Sequence, residues 1–117
     1  MQIHERSAGT VTILDLQGKL TLDDGDTLLR DKVRGLVKRG RKHFVINFRD
    51  VPYVDSAGIG ELVAIFTTLT SRGGTLRLLN VPKRLRDLLV ITKLLTVFET
   101  FDAETEAVRS FLMPEYR

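Results

Sequence analysis

The sequence predicts an α/β fold: a mixed, mostly parallel sheet with helices packed largely on one side, in the order ββαβαβαβα. Three observations carry this. Short β-branched and aliphatic runs alternate with longer segments whose apolar residues recur every three or four positions. Glycines close two of those longer segments, at Gly40 and at Gly73-Gly74. The run HFVINF at 43–48 is apolar almost throughout, as suits a strand covered on both faces. With 117 residues, one domain spanning 1–117 is expected.

The elements follow in order. TVTILDLQ at 10–17 is rich in β-branched residues and stops at Gly18, so it reads as a strand. Residues 2–7 can pair with it antiparallel through a turn at Ala8-Gly9. Thr21 with Asp24 has the look of a helix start, with Thr21 as N-cap and acids in the first turn. Leu28, Leu29, Val33, Leu36 and Val37 continue it at helical spacing to Gly40. After the strand at 43–48, Pro52 interrupts regular structure. Ile59, Leu62, Val63, Phe66 and Leu69 then mark a helix from Ser56 to Arg72. TLRLL at 75–79 is the next strand, and Pro82 opens a short helix with Leu85, Leu88 and Leu89 on one face. VFETF at 97–101 and the pattern Ala103, Ala107, Val108, Phe111 give a last strand and helix.

Composition excludes several classes. Hydrophobic residues are 43% and charged residues 28%, a globular balance rather than a disordered one. There is no cysteine, so disulfides and thiolate metal sites are out, as suits a reducing compartment. No apolar run approaches the length of a signal peptide core or a membrane span, so the expected location is cytoplasmic, without membrane insertion. The net charge of +3 is too mild to indicate nucleic acid. The cluster Arg30, Lys32, Arg34, Lys38, Arg39, Arg41 and Lys42 could bind nucleic acid or anionic lipid, but it lacks interleaved aromatics and reads first as a solvated helix face, with Arg30, Arg34 and Lys38 as a stripe that could instead meet an acidic partner.

The segment that carries chemistry is VPYVDSAGIGEL at 51–62. It puts Asp55, Ser56 and Gly58 at a helix start, where backbone amides are unpaired and the dipole is positive. A nucleophile elbow needs G-x-S-x-G, but Val54 stands where the first glycine belongs. A dinucleotide loop fails because Val63 replaces the third glycine. His4 and His43 are too few and too isolated for a triad base or a metal site, and Asp23, Asp24 and Asp26 lack calcium-loop spacing. No catalytic residue, metal ligand or cofactor is therefore assigned. The plainest role for Ser56 is a helix cap. Tyr53 is expected to pack, at least half-buried, ahead of the loop.

These residues resemble the STAS domain family, and within it the bacterial anti-sigma factor antagonists, or anti-anti-sigma factors. The resemblance covers nearly the whole chain. It rests on Gly18-Lys19-Leu20, on VINFRDVPYVDSAGIGEL at 45–62 and on Gly73-Gly74-Thr75-Leu76; the Asp-Ser-x-Gly-Ile-Gly stretch is its most specific part. The resemblance implies a phosphorylation-controlled protein-binding switch in transcription regulation, and not an enzyme. Ser56 matches the serine phosphorylated by a partner anti-sigma factor that is itself a serine kinase. The unphosphorylated form binds that kinase and releases the sigma factor, and a phosphatase resets the phosphorylated form. ATP would belong to the partner. Thr21, Leu22, Asp23 and Asp24, with Asp55, Ala57, Gly58, Ile59 and Gly60, are the expected partner-binding patch. Two departures stand out: Ala57 replaces a second serine, and Thr21 takes a position where an acid is common in the family. Two other readings stay open: a constitutive module of a stress-signalling scaffold or lipid-transport complex, not regulated at Ser56, and a ligand-binding or hydrolytic protein using Ser56.

Overall fold

Parallel pairing of neighbouring strands sets the layout. The computed structural model describes residues 1–112. Its elements are β1 (Gln2–Ala8), β2 (Val11–Gln17), α1 (Asp26–Lys38), β3 (His43–Asp50), α2 (Ser56–Ser71), β4 (Thr75–Leu79), α3 (Lys83–Ile91), β5 (Glu99–Phe101) and α4 (Glu104–Leu112). The five strands lie in the order β1-β2-β3-β4-β5. β1 runs antiparallel to β2, and every later pair is parallel. The hairpin turns at Gly9-Thr10, one residue later than expected, because Ala8 already pairs with Val11.

Each crossover from β2 onward steps to the next strand in the same direction. A right-handed crossover then puts its helix on the same face every time. Hence α1, α2 and α3 share one face. Leu14, Leu16, Phe44, Ile46, Phe48, Leu76 and Leu78 meet Leu29, Val33, Leu36, Leu62, Leu69 and Leu85 there, all buried. α4 follows the last strand and crosses nothing, so it is free to take the other face. There Ala107, Val108 and Phe111 cover Val11, Ile13, Val45 and Leu79. The expected arrangement, helices largely on one side, is what the sheet order produces.

Polar links fasten the layers. Glu61, only 6% exposed, accepts from Arg30 Nε at 2.8 Å and so ties α2 to α1. Such a pair is costly to break, since a buried carboxylate would be left alone. The basic stripe, expected to be a solvated face or to meet an acidic surface, thus begins with a residue paired to a carboxylate of the same chain. On the opposite face Arg6 bonds both Asp15 and Glu104, joining the β-hairpin to the start of α4.

Helix ends follow one recipe. In α1 the amides of Gly40 and Arg41 reach back to the carbonyls of Val37 and Leu36, and in α2 those of Gly73 and Gly74 reach Thr70 and Leu69. Gly40 and Gly73 have φ of 91° and 74°, the left-handed conformation this motif requires. The start of α1 departs from expectation. Thr21 is not its N-cap. The Thr21 amide and carbonyl pair with Asp24, closing a tight turn, and the helix begins only at Asp26 after Gly25.

Two glycines of α2 have opposite roles. A Cβ on Gly58 would fall onto the Leu20 carbonyl and within 2.8 Å of Val54 Cγ1, whereas Gly60 has nothing within 4 Å. Gly58→Ala is expected to cost about 2–3 kcal/mol through overpacking. Gly60→Ala should stabilise by about 0.5–1 kcal/mol through helix propensity. Urea unfolding of both variants checks this; equal effects would contradict the packing.

Candidate functional site

The site forms where the segments leaving β2 and β3 meet again. Past their strands the two chains rejoin through a parallel bridge between Leu20 and Val54. The Leu20 amide donates to the Tyr53 carbonyl at 3.0 Å, and the Asp55 amide donates to the Leu20 carbonyl at 3.3 Å. Leu20 and Val54 are both buried, so apolar packing underlies the bridge. The turn 21–24 therefore lies directly beside the first turn of α2.

Asp55 is the N-cap of α2, in an extended conformation with φ −99°. Its carboxylate spans two segments: Oδ1 accepts from the Gly58 amide at 2.9 Å, and Oδ2 from the Leu22 amide at 3.1 Å. The Gly58 amide is the foremost cause holding the Asp55 carboxyl below its ordinary range; a small desolvation penalty opposes it, and Leu22 adds to the lowering. Ser56 is the first residue of the helix and is exposed, and its hydroxyl makes no hydrogen bond among the described residues. The plain expectation that Ser56 caps the helix is thus corrected. Asp55 occupies the cap, which leaves the Ser56 hydroxyl available.

The expected contact residues divide by depth. Leu22, Asp23 and Asp24 are exposed on the turn, with Leu22 at 69%, and Thr21 is half-buried beneath them. Ala57 is half-buried and Gly60 exposed, on the same helix start as Ser56. Gly58 and Ile59 are buried and lie below this surface. In the folded chain Gly58 packs on Leu20 and Ile59 points into the main core, beneath the exposed residues of the expected patch. Tyr53 is 42% exposed, so just over half of it is covered as expected, with the Arg84 guanidinium 5.7 Å from its ring. The signal for this was present: Val51 and Val54 are the residues turned inward, which leaves Pro52 and Tyr53 to face out.

The local chemistry suits recognition. Asp55 caps a helix start whose exposed Ser56 hydroxyl is unbonded, at the positive end of the dipole, and Asp23 and Asp24 lie on the neighbouring turn, Asp24 paired with the Met1 ammonium at 2.8 Å. His43 opens β3, at the end of that strand remote from Ser56, and His4 sits on the edge strand β1. A concavity of about 970 Å³ is lined by residues such as Arg6, Asp15, Asn47, Asn80 and Glu104. Those side chains already bond one another in a row across the sheet.

Asp55→Ala is expected to cost about 1 kcal/mol at neutral pH, the usual value of an N-cap. Because the folded-state pKa is depressed, that contribution is present above the unfolded value of about 4 and is lost as pH falls through the lower folded value. Unfolding curves for wild type and variant should converge below about pH 4; a gap unchanged down to pH 2 would contradict the cap.

The STAS domain model matches residues 2–107. The chain is 22% identical over 108 residues to the anti-sigma F factor antagonist of Paenibacillus polymyxa, covering 92% of each. It is 36% identical over 72 residues to the anti-sigma-B factor antagonist of Bacillus subtilis, covering 62% of this chain and 65% of that one. Its backbone superposes on the Bacillus cell fate determinant SpoIIAA, solved in the phosphorylated form, with a TM-score of 0.75 at 20% identity over 94% of this chain and 99% of the other. Motif, fold and family match agree: this chain belongs to the STAS domain family.

Proposed function

We propose that this chain is an anti-sigma factor antagonist whose binding is switched by phosphorylation of Ser56. In this reading the unphosphorylated form binds an anti-sigma factor that is also a serine kinase, and so releases a sigma factor. The partner supplies ATP, and a phosphatase restores the free hydroxyl. The observation that carries the reading is the unbonded, exposed Ser56 hydroxyl beside an N-cap already filled by Asp55. A hydroxyl used for capping would be tied down; this one is free to reach a kinase. The curated relatives, named as anti-sigma factor antagonists, support the partner class.

The electrostatics suit a switch. Phosphate adds about −1.5 to −2 charge. The helix dipole and first-turn amides accommodate it within the fold. Across an interface it acts differently, because it adds to the charge of the adjacent Asp55 and no longer matches the same partner surface. A penalty of about 2.7 kcal/mol is enough for a hundredfold loss of affinity. The contact surface in this reading is Thr21 to Asp24 with Asp55 to Gly60, Gly58 and Ile59 lying beneath it, and the exposed Leu22 and Tyr53 offer apolar contacts.

Affinity capture from host lysate with wild-type, Ser56→Ala and Ser56→Asp baits tests this. Wild type and Ser56→Ala should retain an ATP-binding anti-sigma factor, and Ser56→Asp should lose it by about a hundredfold. Adding ATP to the captured wild-type complex should place phosphate on Ser56, read by mass spectrometry. Identical capture by all three baits would instead favour a constitutive scaffold module. Thermal unfolding should differ among the baits by less than about 1 kcal/mol, which separates a lost partner from a lost fold.

A further inference from the structure

The parallel strands β2 to β5 all begin at one edge of the sheet, remote from Ser56. α1, α2 and α3 run back to that edge, so their last turns end there. The edge carries Lys38, Arg39, Lys42, Arg72 and Lys93, none of which has an ion-pair partner among the described residues. Two of them come from different segments to one place: Lys42 Nζ is 4.0 Å from where a Cβ on Gly73 would stand, next to Arg72. A basic residue at a helix C-terminus complements the dipole, and that alone explains one cation per helix.

Two further features are not explained by the dipole. First, apolar side chains are exposed at the same edge. Val90 and Ile91 end α3 at 53% and 75% exposure, and Val97 is 37% exposed beside the turn at Gly74-Thr75. Second, α3 closes with the motif used by α1 and α2, the amides of Lys93 and Leu94 reaching Val90 and Leu89. Its left-handed position is held by Lys93, at φ 63°, where the other two helices have Gly40 and Gly73. A lysine there is conformationally disfavoured relative to glycine. A cation kept at a backbone position that favours glycine, beside an exposed isoleucine, indicates a function for that surface.

We propose that this edge adsorbs to an anionic phospholipid surface. Unpaired cations matching acidic headgroups, with a few apolar side chains able to enter the interface, are what peripheral membrane binding requires. No helix among the described residues is long and apolar enough to cross a membrane, so the contact is peripheral. α2 has 16 residues and is about 24 Å long, well beyond a Debye length of about 8–10 Å. Ser56, at its far end, faces away from the lipid and stays open to a protein partner.

Co-sedimentation of the full chain with vesicles of phosphatidylcholine, with and without phosphatidylglycerol, tests the proposal. The wild type should bind only the phosphatidylglycerol vesicles at about 0.05 M salt and leave them at about 0.5 M. Lys42→Glu with Arg72→Glu should weaken binding more than tenfold, each cation being worth about fivefold. Ile91→Ser should weaken it several-fold at any salt concentration. Lys93→Gly should weaken it about fivefold while raising the melting temperature, an effect that a purely structural lysine would not produce. Melting curves confirm that each variant is folded. Absence of wild-type binding to the anionic vesicles, unaltered binding by the charge reversals, or tighter retention by duplex DNA than by vesicles at matched salt would overturn the proposal.

Discussion

The first turn of α2 lies against the backbone at Leu20, and the site depends on that contact. It requires a residue without a side chain at position 58, because any Cβ there meets the Leu20 carbonyl. It requires buried side chains at Leu20 and Val54 to anchor the bridge. Asp55 then satisfies a helix amide and a turn amide with one carboxylate. Without this contact, the turn at 21–24 and the start of α2 would be two separate loops. With it, they form one surface joined by backbone and side-chain hydrogen bonds.

That arrangement separates structural work from recognition among adjacent residues. Asp55 caps, Gly58 packs, Ile59 enters the core, and Ser56 and Gly60 do none of these. A hydroxyl free of structural duty can be modified without unfolding the helix it begins, since the dipole favours negative charge at that end. Gly60 is also structurally dispensable, which makes its absent side chain a feature of the surface rather than of the fold. The buried Glu61 one position later belongs again to the structural set, through Arg30.

The sheet order gives the molecule two unlike ends. One end gathers the turn at 21–24, the start of α2 and the acids Asp23, Asp24 and Asp55. The other gathers helix C-termini, unpaired cations and exposed apolar residues. A surface held at one end leaves the other available for a partner.

Much of the fold was legible in the sequence. Periodicity located the four helices and five strands of the described residues, because burial on one face imposes a local repeat on each. Gly40 and Gly73-Gly74 marked two helix ends because the left-handed closing residue is a backbone requirement. The segment 51–62 stood out because Asp, Ser and Gly at a helix start have few interchangeable substitutes. Only the tertiary structure decided the rest. That Asp55 and not Ser56 caps α2 depends on a second acceptor role toward Leu22, 33 positions earlier. That Gly58 is a packing residue and Gly60 a surface one depends on what lies across from each, which helical spacing does not encode. That Thr21 closes a turn instead of starting a helix depends on its pairing with Asp24, held in place by the Leu20–Val54 bridge. Local pattern is written in neighbouring residues; contacts between distant segments, and so the exposure of a given hydroxyl or glycine, exist only once the chain has closed on itself.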